Sequence, residues 1–206
     1  MRLSGLYLIL DPSVAGTRSL SDLAKTALDA GVRLFQLRMK APDTRMFHDM
    51  AAALCPLIRA GGGIFIVNDR CDVAAAVGAD GVHLGQDDLP LAEARAILGS
   101  GKLIGISTHN LAQAVEAQAG GADYIGYGPV FPTATKENPD PVVGVAGVRE
   151  VRAKVRIPIV AIGGITAKNA ADVRAAGADG IAVVSAVLAA SDPQTAIAEL
   201  LQAIGG

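Results

Sequence analysis

The chain has 206 residues, 51% hydrophobic and 18% charged, with a formal net charge of −2. That balance excludes a disordered chain, and the lack of any basic block or aromatic–basic interleaving excludes a nucleic-acid partner. Aromatics make up only 3%, against 24 glycines, so the core must be assembled from small aliphatic side chains.

Short apolar runs recur along the chain, each followed by turn residues and an alanine-rich amphipathic stretch. The run 5–10 (GLYLIL) is ended by Asp11-Pro12 and precedes a helix over 20–30. Strand 32–38 precedes helix 43–60, strand 64–67 precedes helix 72–77, and strand 81–84 precedes helix 89–98. Strand 103–106 leads into helix 111–119. Strand 124–127 enters the longest loop, GPVFPTATKENPDPVVG (128–144), before helix 145–155. Strand 157–162 precedes helix 167–176, and strand 181–184 precedes a short helix over 186–190 and a terminal helix reaching Ile204.

Strands alternating with helical patterns imply parallel βαβ units. Eight of them in one chain predict an α/β protein, a single-domain (β/α)8 TIM barrel over 1–206, because such barrels need roughly 200 residues. The phrases AGVRLFQ, VGADGVHLG, GGADYIGYG and AGADGIAVV share one grammar, a helix closed by Gly or Gly-Ala-Asp and then an aliphatic strand. A doubly wound open sheet is the competing arrangement, disfavoured by the regular repeats and the lack of a composition break.

Cys55 and Cys71 are too few for a disulfide framework or a four-ligand zinc site and read as reduced structural thiols. The run 6–10 is too short for a signal peptide. The uncharged stretch 180–191 is below the roughly 18 residues that span a bilayer. A cytoplasmic protein without a membrane partner is therefore expected. The sequence leaves a homo-oligomer open.

In such barrels the chemistry lies at the C-terminal strand ends and the loops that follow. On strand 2, Gln36, Arg38 and Lys40 share one face, so a row that begins apolar at Val32 and Leu34 ends polar and doubly cationic at the mouth. Phe35 and Leu37 then face the helices. Strand 3 brings Asn68 and Asp69 to the rim, and strand 4 brings His83, Gln86, Asp87 and Asp88. Carboxylates on adjacent strand ends suit a hard divalent ion such as Mg²⁺, which takes one or two protein acids and completes its shell with water and phosphate. Asp87 is also a candidate cap for the next helix. Strand 5 adds Ser107, Thr108 and His109, with Asn110 as a helix cap; His48 reads as surface or packing. The loop after strand 6 offers Thr133, Thr135 and Lys136 as phosphate ligands and has the length of an active-site cover. Gly163 and Gly164 after strand 7, and Ser185 at the short helix after strand 8, suit a second phosphate. Two anion sites on one rim imply small phosphorylated substrates, one carrying diphosphate.

The stretches QLRMK (36–40), VNDR (67–70), DGVHLGQDD (80–88), GIST (105–108), GPVFPTATK (128–136), IGGIT (162–166) and VVSA (183–186) resemble those of the thiamine-phosphate synthase family over nearly the whole chain. The resemblance implies that a hydroxymethylpyrimidine diphosphate is joined to a thiazole phosphate with release of diphosphate, by a dissociative, carbocation-like substitution. It assigns the pyrimidine diphosphate to Gln36, Leu37, Arg38, Met39 and Lys40, with Asn68, Ser107 and Lys136. Among these, Arg38, Lys40, Ser107 and Lys136 would serve the chemistry. It assigns Mg²⁺ to Asp69 and Asp88, and the thiazole phosphate to Thr133, Ala134, Thr135, Gly164, Val184 and Ser185. Met39 stands where the family usually has an acid. Replacing Asp69 or Arg38 by Ala should lower the rate and leave the fold intact.

Three other readings compete. A thiazole tautomerase of the same barrel family would use a histidine at the position of His109, yet would not need the acid pair or the complete TATK loop. A sugar-phosphate isomerase would want a lone acid–base pair and one phosphate site. A noncatalytic ligand-binding barrel would bind without turnover.

Overall fold

The computed structural model describes residues 3–40, 43–133 and 140–205. Eight parallel strands close a barrel in sequence order: β1 Gly5–Leu10, β2 Leu34–Leu37, β3 Ile64–Asn68, β4 Gly81–Leu84, β5 Leu103–Thr108, β6 Tyr124–Tyr127, β7 Ile159–Ile162 and β8 Gly180–Val183. The helices among them are α1 Pro12–Ala15, α2 Leu20–Asp29, α3 Thr44–Ala60, α4 Cys71–Ala76, α5 Leu91–Leu98, α6 Leu111–Ala119, α7 Gly144–Lys154, α8 Ala170–Ala175, α9 Ser185–Leu188 and α10 Pro193–Ala203. The expected TIM barrel is the fold observed, and no described helix is long and apolar enough to cross a membrane.

Some boundaries differ for identifiable reasons. Asp11-Pro12 does more than end β1. The Asp11 carboxylate accepts the Ser13 N–H at 3.0 Å, and Pro12, whose ring presets a helical φ, opens α1. Asp87 does not cap α5; Pro90 holds that position without a side-chain hydrogen bond, and Asp87 is exposed. β7 begins after Pro158, which has no N–H to give the ladder, although its carbonyl still accepts from Ile125. Asn110 caps α6 as expected, accepting from Gln113 N–H at 3.0 Å, and Asp192 with Pro193 opens α10.

Strand side chains alternate between two apolar layers. Leu8, Phe35, Val67, Val82, Ile104, Ile125, Ala161 and Ile181 point outward and bury against the helices, together with Leu54, Ile58, Val148 and Ile197. Tyr7, Ile9, Leu34, Ile64, Ile66, Tyr124, Val160 and Ala182 fill the lumen. Cys55 and Cys71 are both free and buried.

The recurrent Gly-Ala-Asp phrase has a physical role at the bottom of the barrel. Asp80, Asp123 and Asp179 accept the backbone N–H of Phe65, Ile104 and Ile159 at 2.8, 2.7 and 2.9 Å. Each also pairs with an arginine, Arg59, Arg95 and Arg152 respectively. Each acid thus ties the start of one strand to its neighbour and to an outer helix. Asp123→Ala should lower stability by about 1–3 kcal/mol, because the Ile104 N–H loses its acceptor. Chemical denaturation should show this with KM unchanged, since the site lies at the other end.

Candidate active site

The C-terminal strand ends and following loops enclose a cavity of about 640 Å³. From β2 and its exit come Gln36, Arg38, Met39 and Lys40; from the β3 and β4 ends come Asn68, Asp69 and Asp88; from β5 comes Ser107. Across the mouth stand Thr133, Gly164, Val184 and Ser185. The strand register accounts for this grouping, since Gln36 is level with Ile66, Asn68 with His83, and Ser107 with Gly126. Leu37 is the exception: it is buried in the outer layer and is not among the lining residues. Met39 lines the mouth while also packing against that layer. Ala134, Thr135 and Lys136 lie outside the described residues.

Arg38 is set by a residue that sequence reading passed over. Its guanidinium donates to the Asp11 carboxylate at 2.5 Å, and Asp11 is fully buried beneath it. The second Asp11 oxygen accepts from the Ser13 N–H and hydroxyl, at 3.0 and 2.6 Å. The acid is thus held by the first turn of α1 while it orients the cation. Asp11→Asn keeps a good helix cap but releases Arg38. A displaced group of this kind can cost about 10²-fold, so kcat should fall by about 10- to 100-fold with a smaller change in KM, as steady-state kinetics would show.

The acid pair lies beside that cation. Asp69 has φ 63°, a left-handed conformation that Asp tolerates better than most residues, and its N–H donates to the His83 carbonyl at 2.8 Å. Asp88 accepts the Gly85 N–H at 2.6 Å, which fixes the turn after β4. The two carboxyls interact, and Asp88 disfavours the charged form of Asp69. Partial burial of its carboxyl, then the facing Asp88, pushes the Asp69 pKa up to about 7, against the pull of Arg38 and Asn68. Asp69 keeps an exposed face at the rim, so water moderates this shift. Among the described residues no group of three or more His, Cys, Asp or Glu is placed to hold a metal. The acids form a pair.

The lumen floor holds a buried polar network. Tyr7 donates to Gln36 Oε1 at 3.0 Å, and Gln36 Nε2 donates to Asn68 Oδ1 at 2.7 Å. The Tyr7 and Tyr124 hydroxyls are 3.1 Å apart. His83 bridges Tyr124, 3.0 Å from Nδ1, and Ser107 Oγ, 2.9 Å from Nε2. Burial holds the imidazole neutral, its pKa lowered to about 4, and raises both tyrosines above their ordinary range. Tyr7 and Tyr124 escaped notice as ordinary strand residues, although both occupy the lumen parity that carries Gln36 and Ser107.

The remaining rim residues have structural work. Gln86 donates to the Ser107 carbonyl at 2.6 Å, and the buried Thr108 hydroxyl donates to the Gly126 carbonyl at 3.0 Å. His109 lines the cavity, its Nδ1 2.6 Å from the Gly128 carbonyl and its Nε2 3.4 Å from Asp140. His48 is half-buried beside the exposed Asp49. Gly163 and Gly164 admit the start of the long loop: a Cβ at either would meet Pro129, or Pro132 and Phe131, at 2.4–2.8 Å.

Comparison with known proteins places the chain among relatives of one kind. A sequence model of the family described as thiamine monophosphate synthase matches residues 6–187. The thiamine-phosphate synthase of Chloroflexus aurantiacus is 50% identical over 199 residues, covering 97% of this chain and 91% of that protein. That of Methanoculleus marisnigri is 48% identical over 195 residues, covering 95% and 92%. A solved structure of the thiamine phosphate pyrophosphorylase from Pyrococcus furiosus superposes with a TM-score of 0.89 at 40% identity, covering 98% of this chain and 95% of that one. On this fold and these relatives, the chain belongs to the thiamine-phosphate synthase family of transferases.

Proposed function

We propose that the chain joins 4-amino-2-methyl-5-(diphosphooxymethyl)pyrimidine to a thiazole phosphate, forming thiamine phosphate and releasing diphosphate. The observation that carries this reading is the convergence of Arg38, Lys40, Asp69, Asp88 and Ser107 on one side of a cavity whose other side presents Thr133, Gly164 and Ser185. One side suits a metal-bound diphosphate and the other a monophosphate.

The acid pair fits Mg²⁺. Two carboxyls in contact, one with its charged form disfavoured, make a site short of positive charge, and a two-acid set leaves positions for water and substrate oxygens. Asp69 and Asp88 would hold the ion, which when bound supplies charge neutralisation to the diphosphate. Arg38 and Lys40 meet the same oxygens and stabilise charge as it develops on the bridging one. The methylene–oxygen bond breaks with its electron pair leaving on diphosphate, and the aminopyrimidine shares the positive charge of the methylene carbon. The thiazole nitrogen lone pair then forms the new bond, leaving the positive charge on the thiazolium ring. No proton transfer and no protein nucleophile are required. The protein positions two reactants and keeps water from the cation.

Purified protein given both precursors should form thiamine phosphate and diphosphate in equal amounts, and chelation should stop the reaction. Absence of product with Mg²⁺ present would defeat the reading.

Proton linkage at the acid pair gives a second check. Because the folded Asp69 pKa is raised, its contribution to metal-free stability is present near pH 4 and is lost as pH rises through about 7. Below that pH the ion must displace a proton, so apparent Mg²⁺ affinity should fall by up to about tenfold per pH unit. Calorimetric Mg²⁺ titrations from pH 8 to pH 5.5 should show the fall; a flat profile would contradict it.

A further inference from the structure

The floor network has a direction. Gln36 Nε2 donates to Asn68 Oδ1 at 2.7 Å, which turns Gln36 Oε1 toward Tyr7. Gln36 Oε1 then accepts from Tyr7, whose only hydroxyl hydrogen is used. Tyr7 oxygen must accept from Tyr124, and Tyr124 oxygen in turn from His83 Nδ1–H. A neutral imidazole protonated at Nδ1 has a bare Nε2, so Ser107 must donate its own hydrogen to His83. Every link faces the same way. Ser107 Oγ, at the far end, lines the cavity with its hydrogen committed and only lone pairs to offer.

The neighbours make room for this arrangement. A Cβ at Gly105 would lie 2.1 Å from the Tyr124 ring, and one at Gly126 would lie 3.0 Å from His83. Gly105 is level with both His83 and Tyr124 in the sheet, so the absent side chain lets two large rings meet across β5. Their centroids are 5.4 Å apart.

We infer that Tyr7, Tyr124 and His83 are specificity-determining positioning residues, a directed hydrogen-bond chain that locks Ser107 Oγ as an obligate acceptor for the exocyclic amino group of the pyrimidine. A 4-oxo pyrimidine presents a carbonyl where the amino group stands, and faces lone pairs. A buried site built for a donor rejects an analogue lacking it, because its own groups stay unpaired. The substrate part of this inference rests on the function proposed above, whereas the chain itself does not.

Two measurements test it. The first is the nitrogen-15 NMR spectrum of histidine-labelled protein at neutral pH, with His83 assigned against His48→Gln and His109→Gln. The expected result is a proton on Nδ1 and a bare Nε2; a proton on Nε2 overturns the chain whatever the substrate is. The second is calorimetric binding of the 4-amino and 4-oxo pyrimidine methyl monophosphates, without thiazole, to the parent and to Tyr124→Phe. The parent should prefer the amino compound by at least about tenfold, one hydrogen bond's worth. Tyr124→Phe frees the His83 tautomer and the Ser107 hydrogen, so the preference should fall about tenfold. Tyr7→Phe, one link further away, should fall in the same direction and stands in if Tyr124→Phe does not fold. An unchanged preference in a folded variant overturns the proposal. A parent protein with the expected tautomer and no preference overturns its substrate half alone.

Discussion

Asp69→Asn is expected to lower kcat by about 10²- to 10³-fold, the usual cost of removing one group that stabilises developing charge. The barrel should remain intact. Asn tolerates the left-handed backbone at φ 63° as well as Asp does. A sharper consequence concerns the metal-free protein. Its Asp69 charge is disfavoured by burial and by Asp88, so removing that charge should raise the thermal midpoint above that of the parent at pH 8 but not at pH 4.5. Mg²⁺ should stabilise the parent and do much less for the variant. A variant that keeps the parent kcat, or that loses stability at pH 8, would remove Asp69 from the acid pair's proposed role.

Arg38→Ala should lower kcat/KM by at least about 10²-fold, because the diphosphate loses a fork of donors that lysine cannot reproduce. To the expectation of an undisturbed fold the structure adds a cost in stability. Asp11 is fully buried and its carboxylate lies 2.5 Å from the Arg38 guanidinium. Removing the cation leaves that charge uncompensated, at a cost of about 2 kcal/mol. The figure lies below that for a fully buried pair because the Arg38 side chain is 20% exposed and Asp11 keeps its bonds to Ser13. The double variant Arg38→Ala/Asp11→Asn should recover much of the stability and none of the activity. Urea denaturation beside steady-state kinetics separates the two effects; equal stability of the single and double variants would show that Asp11 does not depend on Arg38.

The barrel was legible because apolar runs and Gly-Ala-Asp closures recur at regular intervals, and because period-two alternation fixes which side chains share a face. The same parity brought Gln36, Arg38 and Lys40 to the mouth together with Asn68 and Ser107. Local chemistry hid three things. Asp11-Pro12 has the look of a strand stop, and only the closed barrel shows that its carboxylate reaches Arg38, distant in sequence. Tyr7 and Tyr124 sit in strands as any β-forming aromatic would, and their pairing needs the register that sets Gly105 between Tyr124 and His83. Gly163 and Gly164 read as anion-binding backbone, and only the closed barrel shows that they also leave room for the loop after β6.

The most direct test is a crystal grown with Mn²⁺ and the pyrimidine diphosphate in the absence of thiazole phosphate, with the metal placed by anomalous scattering. The expected result is an ion held between the Asp69 and Asp88 carboxylates and bound to diphosphate oxygens, with Arg38 and Lys40 on the same group. A diphosphate on the opposite wall near Gly164 and Ser185, with no metal at the acid pair, would contradict it.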